Sequence, residues 1–299
     1  MEIKKIKGKT YYISSGTNIG VYLFKDKYTL LIDSGNNNQQ AKKIIKLLSE
    51  NNMNVKYIIN THHHIDHTGG NYYIKDNFSG SILYASEKEK LYIENDELFC
   101  KQIYGSAPIK VLRKEFMVSK DISIDNKLEE GLEKINNDKF DIIKLPGHCD
   151  GQIGIATKDR VCFLADSLMS EGIIDKYNMP FISDIDKQFN TYDKILELDY
   201  ESYLLSHGSK VYNKEDMEKL VKKNKDNLHR YIDMTKELLD QPKTREGLLE
   251  EIIILDEIEI DYKEYHFLNT TIGAMITYLY EREKIKYQIE NGRLFYYNR

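Results

Sequence analysis

A run of histidines behind an apolar segment constrains the fold of this chain more than any other feature. Four of the eight histidines fall within six positions of THHHIDHTGG (residues 61–70), which directly follows VKYIIN (55–60). The apolar and β-branched composition of VKYIIN predicts a strand. Alternate residues beyond a strand face the same side, so His62 and His64 can reach one point. Because neutral imidazole binds zinc and non-haem iron, the run predicts a metal site at the end of this strand.

The turn after these two histidines supplies two further candidate ligands. Asp66 and His67 stand where the chain turns, and Thr68-Gly69-Gly70 allows a tight backbone path before the next helix. The spacing differs from that of a helical metal site, which places its two histidines four residues apart. It fits two ligands from a strand end and two from a turn. The alternative, a polar loop that is rich in histidine by chance, is disfavoured because matching residues occur elsewhere in the chain.

Three other apolar segments also end in a candidate ligand. They are DIIKL (141–145) before His148 in PGHCDGQ, VCFLA (161–165) before Asp166, and SYLLS (202–206) before His207. Each of these residues taken alone is more typical of a loop histidine or a capping aspartate. Four such strand ends in one chain favour a shared site, because rigid strands aim the side chains of their loops at a common point.

The rest of the pattern predicts a core of strands and helices followed by a helical tail. The sequence beyond Lys214 is helical almost throughout, until Asn291-Gly292 predicts a hairpin over 284–297. We therefore expect one domain over residues 1–210 and a second, mostly helical domain over 211–299. The other predicted strands cover 10–14, 20–24, 28–33, 81–85 and 153–157, and the predicted helices cover 39–50, 86–99, 184–198 and 267–282.

These motifs resemble the metallo-β-lactamase superfamily of binuclear metallohydrolases. The resemblance rests on the histidine run, on LPGHCDGQ, FLADS and LSHG, and on LIDSG (31–35), and it covers roughly residues 10–210. It implies an α/β (α+β) fold, namely an αββα sandwich with the site along one edge of two packed sheets. A glutamate at position 64 would resemble the di-iron flavoprotein branch of the superfamily, and His64 argues against that branch.

The resemblance also divides the candidate ligands between two metal ions. The first ion would be held by His62, His64 and His148, the second by Asp66, His67 and His207, with Asp166 as the bridge and Asp33 supporting the metal loops. Seven ligands exceed the four of a usual zinc site, so we expect two divalent ions per chain, zinc by default with iron or manganese as alternatives. His63 is expected off the metals, and Cys149 is expected in the core.

Such a pair of ions implies hydrolysis without a serine or cysteine nucleophile. Two divalent ions about 3.5–4 Å apart lower the pKa of a bridging water, supply hydroxide at neutral pH and polarise a carbonyl or phosphoryl oxygen. Asp66 is the predicted catalytic residue, because a carboxylate between two histidines can both bind metal and accept a proton. The motif alone does not choose among ester, thioester and phosphoester substrates.

Composition indicates a cytoplasmic protein. The chain has 299 residues, a net charge of −5 and 41% hydrophobic residues, which fits a folded chain without general attraction to nucleic acid. Its longest aliphatic run, 252–255, is far too short to span a bilayer, and the N-terminus has no apolar signal segment. The three scattered cysteines argue for a reducing compartment.

Contacts to a small-molecule substrate are expected from two segments. The insert 99–140 offers aromatic and small residues, and the segment 167–190 is rich in Met and aromatic residues, although either could equally pack on the sandwich. The residues concerned are Tyr104, Gly105, Ser106 and Pro108 in the insert, and Met169, Tyr177, Met179, Pro180 and Phe181 in the segment.

The tail leaves a second function open. TREGLLEEI (244–252), the helix at 267–282 and the hairpin resemble a winged helix, a module found in a subgroup of this superfamily that includes nucleases. Residues 211–299 nevertheless hold about 15 Lys or Arg against about 18 Asp or Glu, a balance that disfavours phosphate binding. A nuclease is therefore the alternative to a small-molecule hydrolase, and a metal-binding regulatory protein without turnover is a third hypothesis. We expect the tail to pack on the sandwich or on a second subunit of a homodimer, and to wall the cleft. His266 is expected at the surface, with a position near the cleft as the alternative.

Overall fold

Two β-sheets form the centre of the molecule. The computed structural model describes residues 1–117, 122–177 and 179–299, and in these residues a third, two-stranded sheet lies near the C-terminus. The strands are β1 (Glu2–Lys7), β2 (Thr10–Ser14), β3 (Ile19–Leu23), β4 (Tyr28–Ile32), β5 (Asn54–Ile59), β6 (Ile82–Ser86), β7 (Asn126–Leu128), β8 (Gly131–Ile135), β9 (Asp138–Lys144), β10 (Ile153–Thr157), β11 (Val161–Phe163), β12 (Ser202–Leu204), β13 (Val211–Tyr212), β14 (Ile285–Glu290) and β15 (Arg293–Asn298).

Helices cover the outer faces of the two sheets and make up most of the C-terminal part of the chain. The helices are α1 (Asn38–Glu50), α2 (Ile65–Thr68), α3 (Asn71–Asn77), α4 (Glu87–Glu94), α5 (Glu97–Tyr104), α6 (Lys110–Phe116), α7 (Glu171–Tyr177), α8 (Ile185–Glu197), α9 (Lys214–Leu238), α10 (Arg245–Leu255) and α11 (Tyr262–Glu281). The predicted helix over 86–99 is in fact two helices, because the chain leaves the helical path at Asn95.

The strand order brings several carboxyl ends to the same edge of the molecule. The first sheet has the order β1 to β7, and β4, β5, β6 and β7 are parallel to one another. The second sheet has the order β13-β12-β11-β10-β9-β8, in which β11 and β12 are parallel. Since β9 and β11 are both antiparallel to β10, the strands β9, β11 and β12 share one direction. Loops that follow parallel strands emerge at a common edge, which is where a site can form.

The core between the sheets follows the alternation of their strands. In β4, Leu30 and Ile32 point between the sheets, whereas Leu31 points to the helices on the outer face. In the second sheet, Phe140 and Ile155 meet them from the other side. This period of two is what a strand that is buried on both faces requires. The two sheets with helices outside them confirm the predicted αββα sandwich.

The C-terminal helices share a core with the second sheet. One cluster of buried residues runs from Ile143 and Leu164 in the sandwich to Leu228 in α9, Leu249 in α10 and Ile272 in α11. Burying a side chain of this size contributes about 1.5–3 kcal/mol. The tail therefore packs against the sandwich. The apolar face of α11 lies inside this cluster rather than open to a nucleic-acid groove. The winged-helix resemblance and the domain boundary near 210 stay predictions.

In the described residues no helix is both long and apolar enough to cross a membrane.

Candidate metal centre

The predicted ligands meet at the common edge of the two sheets. Each follows the carboxyl end of a strand: His62 and His64 follow β5, His148 follows β9, Asp166 follows β11, and His207 follows β12. Asp66 and His67 lie in the short helix α2 directly after the histidine run. The structure thus brings all seven predicted ligands together, although their roles as ligands stay predictions.

The first group of side chains consists of three histidines and a cysteine. Ligand atoms of His62, His64, His148 and Cys149 all lie within 4.8 Å of one another. His148 Nε2 is 3.1 Å from His64 Nδ1, so these two ring nitrogens face the same point. Cys149 is buried as predicted, and its Sγ lies 3.5 Å from the other nitrogen of His64. The thiol therefore lies against the outer edge of this imidazole.

The second group combines two carboxylates with two histidines. It consists of Asp66, His67, Asp166 and His207, and their ligand atoms also lie within 4.8 Å of one another. Oδ2 of Asp66 is 3.3 Å from Nε2 of both histidines.

Asp166 faces both groups. Its Oδ2 lies 3.3 Å from His67 Nε2 and 3.4 Å from His207 Nε2 in the second group. The same oxygen lies 3.8 Å from Nε2 of His62 and of His148 in the first group. Ala165, just before it, has a left-handed φ of +52°, a conformation that costs energy in a residue other than glycine and that clusters at functional sites.

Every imidazole of the two groups has a neighbour on the nitrogen that points away from the centre. The contacts are His62 Nδ1 with Thr61 Oγ1 (3.1 Å), His64 Nε2 with Cys149 Sγ (3.5 Å), His67 Nδ1 with Asp33 Oδ2 (2.8 Å), His148 Nδ1 with the Phe181 carbonyl (3.1 Å) and His207 Nδ1 with the Gly16 carbonyl (3.1 Å). Such contacts fix the ring orientation and the tautomer of metal-binding histidines.

Asp33 holds the histidine run in place, in keeping with the support predicted for it. Its two carboxylate oxygens accept hydrogen bonds from the backbone and the hydroxyl of Thr61, both at 2.8 Å, and one of them also contacts His67. Asp33 is itself left-handed, with a φ of +68°, at the end of β4. This buried carboxylate therefore ties the end of β4 to the loop that carries the ligands.

The glycines after the run are required for a reason other than the expected backbone freedom. Gly69 and Gly70 have ordinary negative φ angles of −59° and −87°. A Cβ on Gly69 would lie 2.1 Å from the Asn36 carbonyl oxygen, and one on Gly70 would lie 2.2 Å from that of Ser34. The missing side chains let the turn pack directly on the loop after β4.

The loop between β2 and β3, which the sequence analysis missed, orients Asp66 and His207 of the second group. Between β2 and β3, Thr17 Oγ1 donates a hydrogen bond of 2.8 Å to Asp66 Oδ2. Asn18 donates side-chain hydrogen bonds to the carbonyls of Leu205 and Gly208, on either side of His207. Only the three-dimensional fold brings residues 15–18 to this place, since nothing in SSGTN itself resembles a site motif.

Glu89 is a second residue that the sequence analysis missed. It is fully buried, and its carboxylate accepts hydrogen bonds from the backbone and Nδ1 of His63 at 2.7 and 2.6 Å and from the backbone of Gly151 at 2.9 Å. One carboxylate thus joins the two loops that carry His62, His64 and His148. The ring of His63, packed on Tyr92 and turned to Glu89, belongs to neither group of candidate ligands.

The electrostatics of the two groups differ. Burial lowers the pKa of His62, His64 and His148, so the first group presents neutral imidazoles, the form that binds a cation. Burial acts in the same direction on His67 and His207, but the carboxylates beside them outweigh it and raise the pKa of both.

Three buried atoms of the centre lack a hydrogen-bond partner among the described residues. They are Nε2 of His62, Nε2 of His67 and Oδ1 of Asp166. Buried polar atoms of this kind are rare in folded proteins unless an ion or a water satisfies them. Nitrogen and carboxylate donors suit a divalent metal such as zinc, so the donor set fits the metal ions that the sequence predicts.

The centre opens into a cavity of about 590 Å³. Of the predicted substrate contacts, Met169, Met179, Pro180 and Phe181 line it. Tyr104, Gly105, Ser106 and Pro108 are not part of its described wall, and Glu115 and Phe116 line it instead. Residues 118–121 of the insert and the side chain of Tyr177 lie outside the described part of the chain.

The C-terminal region supplies one side of this cavity, as we expected. Ile258, Ile260, Lys263, Phe267 and Leu268 all line it. His266 is buried beside Tyr104 and Tyr262, so its predicted surface position is wrong. The reason is that the insert helix α5 covers the start of α11, which a sequence pattern cannot show.

The fold and the centre agree with a family match. The model of the metallo-beta-lactamase superfamily matches residues 15–207, and the chain belongs to this superfamily. It is a metal-binding hydrolase of that superfamily.

Individual proteins show the same relationship. The chain is similar to hydroxyacylglutathione hydrolase 1 of Vibrio vulnificus, with 28% identity over 223 residues, 73% of this chain and 72% of that one. It is also similar to the hydroxyacylglutathione hydrolase GloC of Haemophilus influenzae, with 28% identity over 149 residues, which cover 50% of this chain and 65% of that one. A solved beta-lactamase domain protein from Burkholderia ambifaria matches with a TM-score of 0.80 and 13% identity, over 99% of this chain and 93% of the other. At that identity the match supports the fold alone. The matched part of this chain includes the C-terminal helices.

Proposed function

We propose that this protein hydrolyses small thioesters with a centre of two divalent metal ions. The observation that carries the proposal is the position of Asp166, whose Oδ2 lies within 3.8 Å of histidines in both groups. A carboxylate between two such groups is the arrangement that a binuclear centre needs.

The two groups of side chains define which residues would hold each ion. His62, His64 and His148 would hold the first, Asp66, His67 and His207 the second, and Asp166 would contact both. When bound, two such ions supply a water nucleophile at neutral pH and polarise the carbonyl oxygen of the substrate. Zinc is the expected ion, with iron or manganese as alternatives, because nitrogen and oxygen donors do not discriminate sharply among these metals.

Asp66 is placed to move the proton of the reaction. Its side chain is 30% exposed and lines the cavity, and the hydroxyl of Thr17 orients one of its oxygens. In thioester hydrolysis the carbon–sulfur bond breaks, the oxygen of water bonds to the acyl carbon, and one proton passes to the leaving sulfur. A carboxylate within reach of both the attacking water and the leaving group can accept that proton and return it.

One observation favours a thioester, and a second favours a small molecule over a nucleic-acid strand. The curated relatives named above are hydroxyacylglutathione hydrolases by name, and their substrates are small thioesters. The cavity is walled on one side by α11 and the loop before it, which suits a small molecule better than a nucleic-acid strand. The acidic balance of the tail likewise gives the nuclease alternative no support.

Metal analysis and one substitution test the proposal together. The purified chain should hold close to two equivalents of zinc, iron or manganese and should hydrolyse a simple acyl thioester. Asp66→Asn should lower kcat by about a hundredfold or more, in line with the contribution of a general base. Asp76→Asn, an exposed aspartate on α3, is the matched control and should keep wild-type turnover. A metal-loaded protein that turns over no thioester would refute the thioester assignment, and wild-type kcat in Asp66→Asn would remove this residue from the mechanism.

A further inference from the structure

An aromatic wall stands beside the first group of metal-site side chains. The ring of His64 lies 5.5 Å from that of Phe181 and 5.8 Å from that of Phe267, and these two phenylalanine rings are 4.7 Å apart. Phe116 extends the wall, 5.2 Å from Phe267, and all three phenylalanines line the cavity. A surface of this kind binds an apolar group and offers no partner for a hydroxyl group.

The charged side chains around the same cavity are mostly acidic. Apart from the candidate ligands, its described wall contains Glu115, Glu259 and Glu264, with Lys263 as its single Lys or Arg. Glu115 and Glu259 are exposed, and Lys263 and Glu264 are half-buried. The carboxylate of Glu264 already accepts a hydrogen bond from the backbone of Asp261. The described wall therefore carries an excess of negative charge away from the metals.

We propose that this site takes thioesters with an apolar acyl group and a thiol portion that bears no net negative charge. The inference rests on the proposed thioester hydrolysis. Bound metal ions would act on the reacting carbonyl of every thioester alike, so the charges around the rest of the cavity decide between thiol portions. A carboxylate on the thiol meets the field of three glutamates with one lysine to offset them, and like charges disfavour binding.

Such a cavity would differ from one that selects glutathione, the thiol in the names of the relatives above. Glutathione carries two carboxylates and one ammonium group at neutral pH. A cavity that selects it should offer more than one cation to these carboxylates, because recognition of a carboxylate relies on charge-assisted hydrogen bonds. An apolar acyl group, in turn, fits the wall of Phe116, Phe181 and Phe267 better than a hydroxyacyl group does.

Three hexanoyl thioesters test the charge dependence. The zinc-loaded full chain would be assayed with hexanoyl-N-acetylcysteamine, which is neutral, with hexanoyl-glutathione, and with hexanoyl-thiocholine, which is cationic. At low salt we expect kcat/KM for the neutral and cationic thioesters to exceed that for hexanoyl-glutathione by roughly fivefold to tenfold, mainly through KM. The ratio should shrink in about 0.5 M NaCl, because salt screens exposed charges.

Substitutions of charged residues in the cavity wall show whether these residues cause the selectivity. The double variant Glu115→Gln with Glu259→Gln should change the ratio of kcat/KM values by at least threefold in favour of hexanoyl-glutathione. Lys263→Gln should change this ratio in favour of the neutral and cationic thioesters. Glu250→Gln, an exposed glutamate on α10 outside the cavity, should leave the ratio unchanged.

Three results would overturn the inference. The first is a preference for hexanoyl-glutathione at low salt, and the second is a ratio that the double variant leaves unchanged; both would leave thioester hydrolysis itself intact. The third is the absence of metal-dependent turnover for all three substrates, which would refute the proposed function together with this inference.

Discussion

Glu89→Gln is the substitution that tests most directly how the two ligand loops are held together. The carboxylate of Glu89 is 1% exposed, and its two oxygens accept three hydrogen bonds, two from His63 and one from Gly151. A glutamine at this place keeps one acceptor oxygen, which can still serve His63. Its amide group then faces the backbone N–H of Gly151, so two buried donors oppose each other.

The magnitude follows from these contacts. A buried donor without an acceptor costs about 1–3 kcal/mol, and hydrogen bonds to a charged acceptor contribute about 1.5–3 kcal/mol each. We therefore expect Glu89→Gln to lower the free energy of unfolding by about 3 kcal/mol, which corresponds to roughly 6 °C in Tm for a chain of this length. Metal affinity should fall at least about tenfold, as it does when residues that orient metal ligands are lost.

The assay compares Glu89→Gln with a neighbour on the same helix. Thermal unfolding would be followed in the metal-free and zinc-loaded forms, with zinc affinity measured by competition with a chelator. Glu87→Gln is the control, because Glu87 is 62% exposed and accepts its hydrogen bond from Lys127 at the surface. If Glu89→Gln unfolded within a degree of the wild type and bound zinc equally well, this carboxylate would not hold the loops.

Three other changes to the molecule should have measurable effects. Asp166→Asn should reduce bound metal from about two equivalents to one or less, as measured by elemental analysis, because its carboxylate faces both groups. Truncation after Lys210 should yield insoluble or inactive protein in expression trials, since it uncovers the second sheet's buried cluster. Arg230 holds the pKa of Asp256 below its ordinary 3.8, so this pair should stabilise the fold above about pH 4 and lose that effect as the pH falls further. Urea unfolding of wild type and Asp256→Asn should differ at pH 7 and converge in acid.

The strands that the sequence analysis missed share one property. They are β1, β7, β8 and β13, the four edge strands of the two large sheets. Edge strands carry charged residues on their open side or are short, so the apolar alternation that marks an interior strand is weak in them. β1 illustrates this with lysines at three of its six positions, and β13 has only two residues. The interior strands, buried on both faces, were predicted to within a few residues.

The residues of the candidate site are likewise of two kinds, those that the sequence pattern predicts and those that it does not. Its candidate ligands follow strand ends and carry chemically distinctive side chains, so the pattern predicts them. Glu89, Thr17 and Asn18 belong to no recognisable motif. Each forms a hydrogen bond with a residue between 26 and 190 positions away in the chain. Only the packed fold brings such partners together, and no local pattern records it.

Phe181 joins two properties of this protein in one residue. Its side chain belongs to the aromatic wall, while its backbone carbonyl accepts the contact from Nδ1 of His148. Replacement of the side chain changes the wall but keeps the carbonyl in place. An insertion or deletion near this position moves the carbonyl as well, and with it the orientation of a candidate ligand. Substitution at this point would therefore change the aromatic wall alone, whereas a change in loop length here would also disturb the metal centre.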